Sequence, residues 1–210
     1  MSEWIIDREY NDRGEYGPGD EFTSWFRIDF ETGWGIANSG GIRVLAAGKN
    51  GEKCSDHYSC MILITDFTKS VWDNPWTDHY SETQGILNYW GDAKFHMNKR
   101  VDDWQGNKKL TSVNENILLR KVEVLPPILY FQRIKQGKLR FCGLFKLDNM
   151  YKEAFYDYEN EQNIINYKCI LSRIDETRID PEWIKDRAKT GKDKPGLAPS
   201  KWISYLSTFF

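Results

Sequence analysis

Short apolar runs separated by turn signals constrain this chain more than any other feature. IRVLAA (42–47), CMILITDF (60–67), ILNYW (86–90), ILYFQRI (128–134), KLRFCGLFKL (138–147) and INYKCILSRI (165–174) are of strand length and rich in β-branched and aromatic residues. Between them stand turn formers. Asn50-Gly51 opens a polar hairpin or loop, KNGEKCSDHYSC, Pro126-Pro127 precedes one strand, and Gln136-Gly137 turns the chain between two others. SWFRIDF (24–30) alternates with period two and predicts one more strand. Helix is expected mainly at 112–122 and from Pro181, where Asp180 caps PEWIKDRAK with proline at its first position. GKDKPGLAPS reads as a loop or linker and KWISYLSTFF as a short terminal helix or strand. Many short strands with few helices predict an α+β fold: a curved or barrel-like antiparallel sheet of about seven or eight strands, flanked by a few helices. Residues 1–210 read as one domain, with a C-terminal linker region from about 189.

At 210 residues the chain can bury a substantial core, and no apolar run approaches the ~20 residues that a membrane-spanning helix needs. The N-terminus, charged from its third residue, lacks the continuous apolar segment of a signal peptide, so the expected location is the cytoplasm. A formal charge of -2 argues against a histone-like basic binder and leaves room for a local basic face. Nine Trp, eleven Tyr and eleven Phe are more than folding alone calls for, which suggests that some serve as surface platforms. The cysteines Cys54, Cys60, Cys142 and Cys169 read as buried thiols.

The chemistry concentrates at ILNYWGDAK (86–94), where Tyr89, Trp90, Gly91, Asp92 and Lys94 follow one another within six residues. Aromatic faces beside an acceptor and a cation suit a planar, hydrogen-bonding ligand such as a nucleobase. A carboxylate is the natural acceptor for the N4 amino group of cytosine, and Gly91 lets the backbone come close. Strand alternation allows only one of Tyr89 and Trp90 to face such a base. The competing enzymatic reading is a Mg²⁺-dependent nuclease of the PD-(D/E)xK kind. Asp92 and Lys94 have its local D-x-K spacing, Asp66 or Asp78 would be the second metal ligand, and Mg²⁺ would be required. Cys54, His57 and Cys60 have the spacing of three zinc ligands, with Cys142 or Cys169 as the fourth, although an incidental pair of thiols is the favoured interpretation. A third class is a protein- or carbohydrate-binding domain acting through exposed Trp and Tyr. No P-loop, dinucleotide fingerprint or G-x-S-x-G element is present.

The order of several motifs resembles the N-terminal recognition domain of modification-dependent restriction endonucleases of the MspJI and AspBHI type. The resembling residues are YWGDAK (89–94), then Asp103, Gly106 and Asn107, then PPILYF (126–131), KLRFCGLFKL (138–147), EWIKDR (182–187) and APSKW (198–202), together spanning about residues 33–202. The resemblance implies a domain similar to the SRA fold, a β-barrel crescent that binds duplex DNA and flips 5-methylcytosine or 5-hydroxymethylcytosine into a pocket. It implies no catalytic residues here, the nuclease lying in a separate C-terminal domain, and no cofactor for binding; Mg²⁺ would serve only an attached nuclease. By the motif match Asp92 would hold the cytosine edge, with Tyr89, Trp90, Trp72 and Trp76 as stacking candidates by chemistry. The glycine-rich 33–43 segment, including Asn38, Ser39, Gly40 and Gly41, would fill the gap left by the base. Lys99, Arg100, Lys108 and Lys109 would meet phosphates, fixing register without reading sequence, Asn107 would meet the backbone or groove, and Arg43 would reach either a phosphate or a guanine.

Overall fold

The structure, a computed structural model, describes residues 3–14, 17–37, 40–49, 52–67, 76–94, 99–158 and 161–210; of residues 49 and 52–56 it describes the backbone. Its centre is a mixed sheet whose order is β3 (Ile42–Lys49), β4 (Glu52–Asp66), β7 (Ile128–Lys135), β8 (Lys138–Asp157), β9 (Gln162–Arg173), β6 (Ile86–Trp90) and β5 (His79–Ser81). Short β2 (Glu9–Asn11) adds to β8, while β1 (Trp4–Ile5) pairs with β10 (Arg178–Ile179) outside the main sheet. All these pairings are antiparallel except β4 with β7, which run parallel. The sheet is open, with β3 and β5 at its edges. No helix among the described residues is long and apolar enough to cross a membrane.

Continuous apolar runs arise because both faces of the sheet are buried. Along β4, Cys60, Ile62 and Ile64 enter one core while Met61 and Leu63 enter the other. Along β7, Leu129 and Phe131 oppose Ile128 and Tyr130 in the same way. The first core also takes Trp4, Tyr10, α1 (Glu21–Trp25) through Phe22, and α3 (Pro181–Thr190) through Trp183 and Ile184. The second takes α2 (Gln105–Leu118) through Leu110 and Val113. A flat sheet would separate β4 from β6, four steps apart, by about 19 Å. Yet the Tyr89 hydroxyl of β6 donates to the Ile64 carbonyl of β4 at 3.2 Å. The sheet therefore curls into a crescent around the second core.

The strands expected at 42–47, 60–67, 86–90, 128–134, 138–147 and 165–174 are present, and several run longer. β8 and β9 continue through the Tyr-rich acidic segment as a two-stranded ribbon beyond their neighbours. The Asn50-Gly51 pair lies outside the described residues, although the flanking β3 and β4 pair antiparallel. SWFRIDF is no strand. Asp20 caps α1 by accepting from the Thr23 amide at 2.7 Å, so helical spacing sends Phe22 and Phe26 into the core. α2 starts at Gln105, seven residues before the expected 112, because its first amides are capped by Asp92, distant in sequence and invisible to local pattern. β5, only three residues long, leaves no strand pattern in the irregular stretch before β6.

At the far end, α3 has the expected Asp180 cap and Pro181 start, and closes on Gly191 in the left-handed region at φ 73°. The terminal stretch forms helix α4 (Ser200–Ser207), anchored by buried Trp202. Arg187 of α3, only 2% exposed, donates to the Ser59 and Leu125 carbonyls and pairs with Asp193, which also accepts from Trp183 and Trp202 indole N–H groups at 2.8 and 3.1 Å. Removing one member strands the rest inside the protein. Arg187→Ala should therefore cost roughly 3–5 kcal/mol of unfolding free energy in urea denaturation. A loss below about 1 kcal/mol would refute the idea that this node ties α3 and α4 to the sheet.

Candidate nucleic-acid interface

The β5–β6 hairpin places two functional candidates side by side. Pairing of His79 with Asn88 sets Asp78 beside Tyr89, on the concave face of the crescent. Asp78 accepts from the Thr65 hydroxyl at 2.7 Å and from the Trp90 amide at 2.8 Å. Thr65 accepts in turn from the Tyr130 hydroxyl at 3.0 Å, Tyr130 from the Gln132 amide at 3.3 Å, and Gln132 from Arg140, which pairs with Glu82 at the surface. Each donor in this relay points towards Asp78. The residue as a whole is half-buried, but its carboxyl is enclosed, and burial pushes its pKa up to about 7 against the opposing hydrogen bonds from Thr65 and Trp90. Burial likewise holds the Tyr89 and Tyr130 hydroxyls above the usual phenol range.

Trp90 faces away from Tyr89, as strand alternation requires. Its ring packs at a tilt against Trp76 with centroids 4.7 Å apart, Trp76 makes a T-shaped contact with Phe155, and the Lys168 ammonium lies 5.0 Å from the Trp90 ring. Gly41 comes to the concave site from the other side. A Cβ there would lie 2.7 Å from the Tyr89 hydroxyl and 2.9 Å from the Ile64 carbonyl oxygen, so only glycine permits this approach.

Asp92 is placed differently from Asp78. One carboxylate oxygen accepts from the Gly106 amide at 2.7 Å and the other from the Asn107 amide at 2.9 Å, capping α2. Asn107 is fully buried, Lys109 is half-buried with its ammonium on the Ile42 carbonyl at 3.1 Å, and Arg43, 3% exposed, donates to the Gly40 carbonyl. Lys94, Lys99, Arg100 and Lys108 are exposed. Asn38, Ser39 and Trp72 lie outside the described residues, as does His96.

Among the described residues no group of three His, Cys, Asp or Glu side chains lies together as a metal site. Asp66 lies 3.6 Å from Arg133, Asp78 serves the relay, and Asp92 serves α2. Cys60 is buried, which pushes its pKa up to about 12, while His57 is exposed; the Cys54 side chain is outside the described residues. Cys142 and Cys169 are free buried thiols, likewise raised to about 12 by desolvation.

Residues 4–209 match the sequence profile of the family described as "Restriction endonuclease AspBHI N-terminal". The chain belongs to this family. Among solved structures, this AspBHI-type chain is similar to the DNA modification-dependent restriction endonuclease AspBHI, with TM-score 0.74 and 23% identity over 99% of this chain and 92% of that one. It is also similar to the MspJI restriction endonuclease in complex with a 27-mer oligonucleotide, at TM-score 0.78 and 17% identity, covering 97% of this chain and 51% of that chain. A third likeness is to the DNA recognition domain of the cytosine modification-dependent restriction endonuclease LpnPI, at TM-score 0.66 and 20% identity over 95% and 93% of the two chains. At these identities the likeness is one of fold. No curated protein sequence matches the AspBHI-type chain.

Sequence spacing alone points to Asp78 only as a metal ligand. Its pairing with Tyr89 follows once β5 is recognised as the other arm of a hairpin, but a three-residue strand gives too short a pattern to find. Its titration is directly testable. Between about pH 4 and about pH 7 the unfolded chain releases this proton while the folded chain keeps it. Stability should therefore fall as pH rises through that window, by at most about 1.4 kcal/mol per pH unit from this group, and level off above pH 7. Asp78→Asn should remove that slope in urea unfolding from pH 4 to 8. A wild-type–variant difference that stays constant with pH would count against it.

Proposed function

We propose that this chain is the specificity module of a modification-dependent restriction endonuclease: it binds duplex DNA and reads a modified cytosine, 5-methylcytosine or 5-hydroxymethylcytosine, flipped out of the stack. The observation that carries the reading is the enclosed Asp78 carboxyl on the concave face, with Tyr89 beside it and Gly41 bringing a second backbone segment against Tyr89. A base extruded into such a site meets an acceptor suited to the N4 amino donor, which distinguishes cytosine from thymine. Membership of the AspBHI N-terminal family and likeness in fold to two modification-dependent endonucleases support the same reading.

Asp78 takes the role that the motif order alone assigned to Asp92, because Asp78 stands beside Tyr89 and opposite the Gly41 segment, whereas Asp92 caps α2. Trp76 and Trp90, on the opposite face, support the hairpin from behind. Exposed Lys94, Lys99, Arg100 and Lys108 are the phosphate contacts of this proposal, contributing salt-dependent affinity. Binding then requires no metal, and the module works on DNA in the cytoplasm.

The test measures binding of otherwise identical duplexes carrying cytosine, 5-methylcytosine or 5-hydroxymethylcytosine, with a chelator present. A modified duplex should bind more tightly. Asp78→Ala should lower its affinity about tenfold to 100-fold, to the level of the unmodified duplex, with the salt-dependent background kept. Equal affinity for all three duplexes would sink the proposal. DNA cleavage by this chain alone on adding Mg²⁺ or Mn²⁺ would favour the nuclease reading instead.

A further inference from the structure

Asp92 lies at the centre of a buried polar hub joining three segments distant in sequence. Its oxygens take the Gly106 and Asn107 amides. The Asn107 side chain answers in both directions, accepting from the Asp92 amide at 3.0 Å and donating to the Val101 carbonyl at 2.8 Å and to Asn166 at 3.3 Å. Asn166 of β9, also fully buried, donates to the Gly91 carbonyl at 2.9 Å. The exit of β6, the first turn of α2 and the base of the β8–β9 ribbon are therefore locked by side chains of three residues.

The packing admits nothing larger at two points. A Cβ on Gly91 would stand 1.9 Å from the Asn107 side-chain oxygen, and one on Gly106 would stand 2.6 Å from the Asp92 carboxyl carbon. α2 has no side-chain cap of its own at Trp104, so Asp92 supplies what the helix start lacks. One turn on, Lys109 fixes the same helix to the Ile42 carbonyl, next to the Gly40-Gly41 segment that approaches Tyr89. Burial lowers the Lys109 pKa, opposed by the nearby Asp92 charge and reinforced by Arg43. Outside this hub stand the exposed cations Lys99, Arg100 and Lys108, on the approach to α2 and on its first turn.

We propose that Asp92, Asn107 and Asn166 form a positioning clamp that fixes the basic edge at the start of α2 relative to β6 and so sets the register of phosphate contacts against the base site. The inference rests on the DNA-reading proposal, and it gives Asp92 a role distinct from contact with the base. A phosphate edge free to shift engages fewer phosphates on a duplex of either kind, whatever base the site holds.

The experiment compares wild type, Asp92→Ala, Asn107→Ala and the double variant on cytosine and 5-methylcytosine duplexes across a salt series, with thermal unfolding in parallel. Each single variant should weaken binding to both duplexes and reduce the slope of log affinity against log salt by about one to two, as for the loss of one or two phosphate contacts. The preference for the modified duplex should stay within about twofold. The double variant should be no weaker than the weaker single, since the two side chains act as one unit. Arg100→Ala with Lys108→Ala calibrates the slope. Loss of the modified-base preference at an unchanged slope would make Asp92 a base reader and overturn the clamp. A lowered melting temperature with slope and affinity unchanged in the folded protein would overturn it as well. Should Asp92→Ala fail to fold, Asp92→Asn, which keeps one acceptor oxygen, carries the same comparison. A wild type with no preference but a slope that falls in the variants overturns the base-reading proposal and leaves the clamp standing. No DNA binding at low salt overturns both.

Discussion

Everything in this protein depends on a sheet buried on both faces and curled far enough for β6 to touch β4. One face carries Trp4, Phe22, Phe26, Phe131 and Phe141 against α1 and α3, while the other closes around Met61, Leu63, Tyr130 and Phe145. Twist and the register shift between Tyr130 and Phe131 let the strands wrap the second core. The Tyr89–Ile64 hydrogen bond reports the result, bringing one end of the sheet across to the other half. Polar groups cannot sit cheaply inside such a crescent without partners, which is why the Arg140-to-Asp78 relay is hydrogen-bonded throughout.

Two aspartates fourteen residues apart show how the same side chain acquires different chemistry. Asp92 meets the positive end of a helix, where two backbone amides solvate its charge and make it a structural anion. Asp78 is enclosed by a hydroxyl, one amide and aromatic walls, so burial outweighs its hydrogen bonds and the proton is held to near neutrality. A carboxyl poised between its two protonation states, on a concave surface, is the arrangement associated with a functional site. The charged anchor ties down a helix and the poised group ends a hydrogen-bonded relay; the fold places both at the C-terminal end of one five-residue strand, Asp78 on the Trp90 amide and Asp92 two residues beyond it.

Much of the architecture was legible in the sequence because local patterns carried it. Strands such as CMILITDF and ILYFQRI combine length, β-branching and flanking turns, and Asp180 with Pro181 marks a helix start through chemistry confined to a few residues. SWFRIDF misled because Phe22, Phe26 and Phe30, spaced by four, fit either period, and the cap at Asp20 starts a short helix that ends at Trp25 within the segment. α2 was missed at its start because its cap comes from Asp92, thirteen residues upstream of Gln105. The candidate site was legible only in part: ILNYWGDAK is indeed a junction of strand, helix and ribbon, but composition could not say which carboxylate faced the concavity.

The sequence by itself determined the strand content, the two-faced burial of the central strands, the helix from Pro181, and the order of motifs that marks the family. Each of these is written in neighbouring residues, where spacing and residue type act directly on the backbone. Only the tertiary structure decided that Asp78 stands beside Tyr89 in the β5–β6 hairpin while Asp92 caps α2, that Asn107, Lys109 and Arg43 turn their polar groups into the protein, and that Lys99, Arg100 and Lys108 remain exposed. Those outcomes turn on strand pairing and on contacts such as Lys109 with Ile42 and Asn107 with Asn166, between residues dozens of positions apart. Charge and size alone do not reveal which hydrogen bonds a folded chain has already used.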